Sequence, residues 1–181
     1  MKKLLTALVI IVSLGTAGSV CAADFRELRV LAEDGNAIAQ VVLGANYYEG
    51  RGVTQDYKES AKWYRKSAEQ GNAMAQFNLG WMYEKGQGVV QDYKEAGKWY
   101  RKSAEQGYAM AQYNLGAMYA NGNGVIQDNV YAYMWFNIGA SNGDKNAVKY
   151  RDMAAKNMMA ADISKAQGLA RACVAKKFKG C

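Results

Sequence analysis

The chain copies itself every 36 residues, and that period restricts its fold more than any other feature of the sequence. Gly35, Gly71, Gly107 and Gly143 keep the step, as do Gly44, Gly80 and Gly116, and Gly50, Gly86 and Gly122. Trp63, Trp99 and Trp135 follow it, and so do Asp56, Asp92 and Asp128. Aligned directly, residues 53–88 and 89–124 share 27 identities in 36 positions. Such a chain builds one small unit after another, each covering apolar surface that its neighbour cannot bury alone.

Each unit reads as two helices. In the middle unit the first spans 73–85, where Ala75, Leu79 and Tyr83 recur at steps of four with Met82 beside them. Gly86 stops it, and Gly-Gln-Gly-Val (86–89) turns the chain. Asp92 is the expected N-cap of the second helix, with Glu95 three residues on as in a capping box. That helix runs over 93–106, with Tyr93, Tyr100 and Ala104 on one stripe and Trp99 on its shoulder, until Gly107 ends it. Gly80 and Gly116 fall inside first helices, where each costs about 1 kcal/mol against alanine. Their recurrence predicts a close approach of two helix backbones. The three period-related tryptophans are expected in the core.

The strings 73–107 and 109–143 resemble the Sel-1-like repeat, a tetratricopeptide-related helical hairpin of about 36 residues. They carry its A-x-x-x-L-G-x-x-Y-x-x-G-x-G-V stretch, the following Asp, a W-Y/F pair and a final Gly. The resemblance runs from Leu28 to about Gly143 and implies an all-α solenoid of stacked helix-turn-helix repeats with a helical C-terminal cap. The expected division is a signal peptide at 1–22, the leading helix of a partial repeat at 23–34, repeats at 35–143 and a cap at 144–181. Residues 158–162 are the expected break between two cap helices.

Lys2 and Lys3 precede an apolar run from Leu4 to Leu14, interrupted by Thr6 and Ser13, and small residues follow at Ala22 and Ala23. This is the pattern of a secretory signal cleaved after Ala22 or Ala23. The run is too short for a bilayer span, which needs about 20 residues. Export to a bacterial periplasm or beyond is therefore expected, with no membrane span after cleavage. A lipid on Cys21 is disfavoured by Val20 and Gly18 before it. Cys173 and Cys181 then remain, an even count in an oxidising compartment and an expected disulfide. The spacing allows it if the helix ends near Lys177 and Gly180 turns the tail back. The segment from Asp144 onward carries a net charge of about +6 and the rest of the exported chain is nearly neutral. That tail is either a surface for an anionic envelope or a solvated helix face.

The chain has no histidine, which removes Ser-His-Asp and Cys-His catalysis and imidazole metal ligation. No phosphate-binding lysine loop and no G-x-S-x-G elbow is present, and Gly50-Arg-Gly-Val and its copies are repeat turns. Neither catalytic residues nor a metal or cofactor is expected. Some cysteine-rich members of the Sel-1-like group are linked to penicillin binding or hydrolysis, so an enzyme or binder of cell-wall or β-lactam substrates is the rival reading. Those members carry a disulfide in each repeat, and these repeats contain no cysteine.

In arrays of this kind the first helices line the concave face, and groove positions are free to differ between units. Here Ala45, Trp81 and Ala117 occupy one such position, and Val41, Phe77 and Tyr113 another. Val42, Asn78 and Asn114 form a third, and Tyr48, Glu84 and Ala120 a fourth. The expected groove comprises Trp81, Phe77, Tyr113, Asn78, Asn114, Tyr48 and Glu84. Phe77 and Tyr113 have packing between units as their alternative role. Aromatic area interleaved with amides suits a peptide or glycan chain. The resulting expectation is an adaptor in the cell envelope with a protein or envelope polymer as partner and no nucleic acid. A regulator of a cell-wall enzyme and a secreted binder of a host factor are further forms of it.

Overall fold

The computed structural model describes the backbone of residues 17–181 and the side chains from residue 25 onward. The expected signal segment lies outside the described residues as far as residue 16. Among the described residues the chain forms nine helices and no strand. They are α1 (Ala17–Glu33), α2 (Ala37–Glu49), α3 (Tyr57–Glu69), α4 (Ala73–Lys85), α5 (Tyr93–Ala104), α6 (Ala109–Asn121), α7 (Asn129–Ser141), α8 (Lys145–Ala155) and α9 (Ala160–Ala175). Helices α2–α3, α4–α5 and α6–α7 are three hairpins, with α1 before them and α8 and α9 after.

Each hairpin is punctuated by the same residues. Asp56, Asp92 and Asp128 cap α3, α5 and α7, each carboxylate accepting two backbone N–H bonds. Only half of the expected capping box forms, because the Asp92 N–H donates to the Tyr83 carbonyl and Glu95 pairs with Lys98. Gly50, Gly86 and Gly122 end the first helices at φ near 70°, a conformation that costs glycine nothing sterically. Helix α5 stops two residues short of the expected Gln106, since Glu105 and Gln106 already belong to the turn into Gly107.

Every first helix packs on the second helix of its own hairpin and on the helix before it, α1 for α2, α3 for α4 and α5 for α6. Leu43, Leu79 and Leu115 are fully buried at these junctions, and Trp63, Trp99 and Trp135 are buried in the core. The in-helix glycines are explained by rings. A Cβ on Gly80 would stand 2.8 Å from the Tyr100 ring, and one on Gly116 would stand 2.7 Å from Phe136. The close approach is therefore an aromatic ring laid on a helix backbone, with carbonyls such as Ala96 O at 3.2 Å behind it. Tyr93, placed by sequence on the buried stripe, is exposed.

Buried polar atoms form a ladder with the same period. The amides of Gln40, Gln76 and Gln112 donate to the carbonyls of Ala32, Ala68 and Ala104, each at 3.0 Å. The Gln70 and Gln106 side chains and that of Asn142 donate in turn to their oxygens. Arg65 and Arg101 reach forward to the hydroxyls of Tyr83 and Tyr119 at 2.7 and 2.6 Å. The bonds of Gln76, Gln112, Arg65 and Arg101 tie one hairpin to the next, and that of Gln40 ties the first hairpin to α1. Those of Gln70, Gln106 and Asn142 close their own hairpins, so each buried amide is satisfied at both ends.

The cap departs from the repeat. Its break falls at 156–159, earlier than expected, and Ala160 to Asp162 already form the first turn of α9. Helix α9 packs on the outer face of α7. Lys58, Lys62 and Lys66 of α3 and their equivalents Lys94, Lys98 and Lys102 of α5 become Val130, Met134 and Ile138 in α7. Met134 and Ile138 are buried. The last repeat thus carries a second apolar face for its lid. Cys173 and Cys181 are joined by a disulfide with Cα atoms 5.5 Å apart. The helix ends before Lys177, and the turn back is made by Lys177, Phe178 and Gly180, all at positive φ.

Candidate binding groove on the first helices

The exposed side of α2, α4 and α6 is set by helical spacing. Positions 38, 42, 45 and 49 share one face of α2, and the same offsets give 74, 78, 81 and 85 on α4 and 110, 114, 117 and 121 on α6. Near Trp81 this face opens into a cavity of about 380 Å³, lined by Ala45, Tyr48, Glu49, Tyr64, Phe77, Asn78, Trp81 and Met82. Four of the seven sequence-predicted residues meet here. Trp81 is about one-third exposed, its indole N–H points at the Tyr48 hydroxyl at 3.4 Å, and Lys85 Nζ sits 4.6 Å from its ring. Tyr48 donates its own hydroxyl to Gln87 at 2.9 Å and lies against Tyr57, so one wall is held in place. The floor is Tyr64, whose phenol is pushed well above its usual range by burial and then by the Glu49 charge.

The other three predicted residues lie apart from the cavity. Glu84 faces Tyr100, accepting its hydroxyl at 2.8 Å, and bridges Lys85 at 2.7 Å. Burial first and then that carboxylate raise the Tyr100 phenol far above the ordinary value, while Asn114 beside it acts the other way. Tyr113 is half-buried between the rings of Phe136 and Tyr150, at centroid distances of 5.9 and 5.4 Å. Burial, followed by Tyr150, pushes its phenol up to about 12. Phe77 serves two ends, lining the cavity while its ring meets Tyr100 and Tyr108 at 5.8 and 5.3 Å.

A second, smaller cavity of about 230 Å³ is lined by Ala120, Asn129, Phe136, Tyr150, Met153, Ala154, Asn157 and Met158. It stands in the same register 72 residues on, with Ala120 for Tyr48, Phe136 for Tyr64, Tyr150 for Asn78 and Met153 for Trp81. At the step between them Trp81 stands where α2 has Ala45. The exposed stripe also carries Ile38, Val42, Met74, Met110, Tyr150 and Met153. Sequence reasoning missed Met74 and Met110 because it sought positions that differ between units, whereas Ile38, Met74 and Met110 recur as apolar and exposed. The i, i+4, i+7 spacing with Asn78 and Trp81 was the available signal.

The Sel1 repeat profile matches residues 37–72, 73–108 and 109–144, the three hairpins and more than half of the chain. The chain belongs to the Sel1 repeat family. Sel1 repeat proteins serve in protein–protein interaction, generally as non-catalytic scaffolds. Over 64 residues the chain is 42% identical to the secretory immunoglobulin A-binding protein EsiB of Escherichia coli O6:H1, covering 35% of this chain and 12% of that one. The chain thus spans about an eighth of that relative. Among solved structures it is similar to c5321, a protective antigen present in uropathogenic Escherichia coli strains, with TM-score 0.79 and 33% identity over 85% of this chain and 34% of the other. It is also similar to a Sel1 repeat protein from Oxalobacter formigenes, with TM-score 0.65 and 38% identity over 71% and 97%. The likeness to Helicobacter pylori cysteine rich protein B, at 19% identity and TM-score 0.59, concerns the fold alone.

Among the described residues no three Cys, Asp or Glu side chains converge on a metal-sized site. No described helix is long and apolar enough to cross a membrane.

Proposed function

We propose that this protein is an exported Sel1 adaptor that holds a segment of a partner protein along its first helices, anchored at Trp81. The observation that carries the reading is the cavity joining Tyr48, Phe77, Asn78 and Trp81, which recurs in register two units along at Tyr150 and Met153. Each cavity accepts one large apolar side chain, and Asn78 on the wall of the first pairs with a peptide backbone. Exposed methionines along the stripe adapt to irregular apolar partners. The charged start, short apolar run and Ala22–Ala23 site support export.

The test is capture from periplasmic extract by the wild type and by Trp81→Ala. A partner retained by the first and lost by the second supports the groove, and equal retention rejects it. A host-protein partner is a second reading, favoured by the 42% identity to an immunoglobulin A-binding protein. Surface plasmon resonance against secretory immunoglobulin A tests that reading, and no binding at micromolar concentration ends it.

A further inference from the structure

We propose that the outer face of α3 and α5, continued by the C-terminal loop, is a second interaction surface, which binds a linear anionic polysaccharide. Lys58, Lys62 and Lys66 on α3 and Lys94, Lys98 and Lys102 on α5 are all exposed and spaced by four residues, so each helix presents a row of cations. Glu59 and Glu95 offset one lysine in each row by pairing with Lys62 and Lys98. Lys66 and Lys102 instead lie over Trp63 and Trp99, each 4.2 Å from the ring centroid.

The rows are not an incidental solvated face. On α7 the same three positions are apolar and the same face is occupied by α9. Where the molecule leaves the face uncovered, it is cationic. The tail extends the surface, because Phe178 lies against Gly107, 3.4 Å from where a Cβ would stand. That contact sets the exposed Lys176, Lys177 and Lys179 beside the C-terminal end of α5. The disulfide between Cys173 and Cys181 closes the loop that carries them.

Three features select a glycan among polyanions. The lysines recur about every 6 Å along each helix, at 1.5 Å per residue, a sparse row of charges. Duplex DNA carries a charge about every 1.7 Å, a much denser array. Between the lysines lies a cavity of about 510 Å³ whose floor includes Gly97, Trp99 and Val125. Gly97 stands where the other repeats have Ala61 and Tyr133 and packs on Met118, 3.2 Å from where a Cβ would stand, and on Val125, so the cavity offers a sugar ring an apolar floor. A flat bilayer cannot enter it.

The probe is an oligomer of polygalacturonate, titrated against the oxidised full chain by calorimetry. Binding is expected at 50 mM salt and should weaken about 50-fold by 200 mM if four charges are neutralised, using the slope for single-stranded polyanions. The triple variant Lys94→Ser, Lys98→Ser, Lys102→Ser should lose at least tenfold in affinity with its circular dichroism unchanged, and Trp81→Ala should bind as the wild type does. No binding at 50 mM salt, or full binding by the triple variant, overturns the proposal. Equal affinity for phosphatidylglycerol vesicles or for a DNA oligonucleotide also overturns it, assigning the face to a lipid or a nucleic acid.

Discussion

Trp81 and Leu79 sit two residues apart on α4 and answer to different demands. Leu79 is fully buried among Val41, Ala61, Tyr64, Ala75 and Met82, so Leu79→Ala should cost about 2–5 kcal/mol in a denaturant titration. Trp81 is turned about 200° from it and borders the cavity. Both neighbouring repeats already carry alanine there, so Trp81→Ala should leave the melting temperature almost unmoved. Gly80 lies between them under the Tyr100 ring, and Gly80→Ala should cost about 1–3 kcal/mol by overpacking. The same ring gives a pH signature. Tyr64, Tyr100 and Tyr113 have raised pKa values in the folded state, so above pH 10 the unfolded chain releases their protons first. Stability from these groups is complete below pH 10 and falls as pH rises through 10–12. Thermal melts from pH 8 to 11 check this, and a stability that rises across pH 10–11 contradicts it.

Among elements, the disulfide-closed end of α9 is the one whose contribution depends on compartment. It closes a loop of 8 residues, for which chain entropy gives about 2–3 kcal/mol. Intact mass of freshly isolated protein should be two hydrogens below the reduced value, and two free thiols would contradict the bridge. The helices themselves were legible because their signals are local: a glycine stop, an aspartate cap and an apolar step of four. Tertiary arrangement was less so. Gln40, Gln76 and Gln112 carry no local signal of burial, and only the stacked carbonyls behind them explain it. Tyr93 has the spacing of a core residue, yet it lies at the open start of α5. The placement of α9 on α7 was written in the loss of three lysines, a signal that needs the helices positioned before it has meaning. In the groove, Tyr48, Phe77, Asn78 and Trp81 were found by their variation. Glu84 and Tyr113 varied too, but as answers to Tyr100 and Tyr150 on the packed side.

At the scale of the whole molecule, apolar and basic surfaces are segregated. The first helices expose Ile38, Met74, Trp81 and Met110, with Met153 of α8 continuing the stripe, and the second helices α3 and α5 expose lysines. A solenoid allows this because each hairpin repeats the same two faces, so one substitution copied by the period becomes a stripe. Export would place both faces outside the cytoplasm, and N-terminal sequencing of the periplasmic protein should begin at Ala23 or Asp24. A protein still starting at Met1, or lipid on Cys21, contradicts that. The central claim is that the groove on the first helices holds a protein partner through Trp81. Its most direct test is quantitative capture from periplasmic extract by wild type and Trp81→Ala, matched for folded protein by their melts. The account predicts a partner enriched by the wild type and reduced about 30-fold or more by the variant, the scale of a 2 kcal/mol aromatic anchor. Equal capture by the two proteins, or loss of folding in the variant with affinity per folded molecule intact, would contradict it.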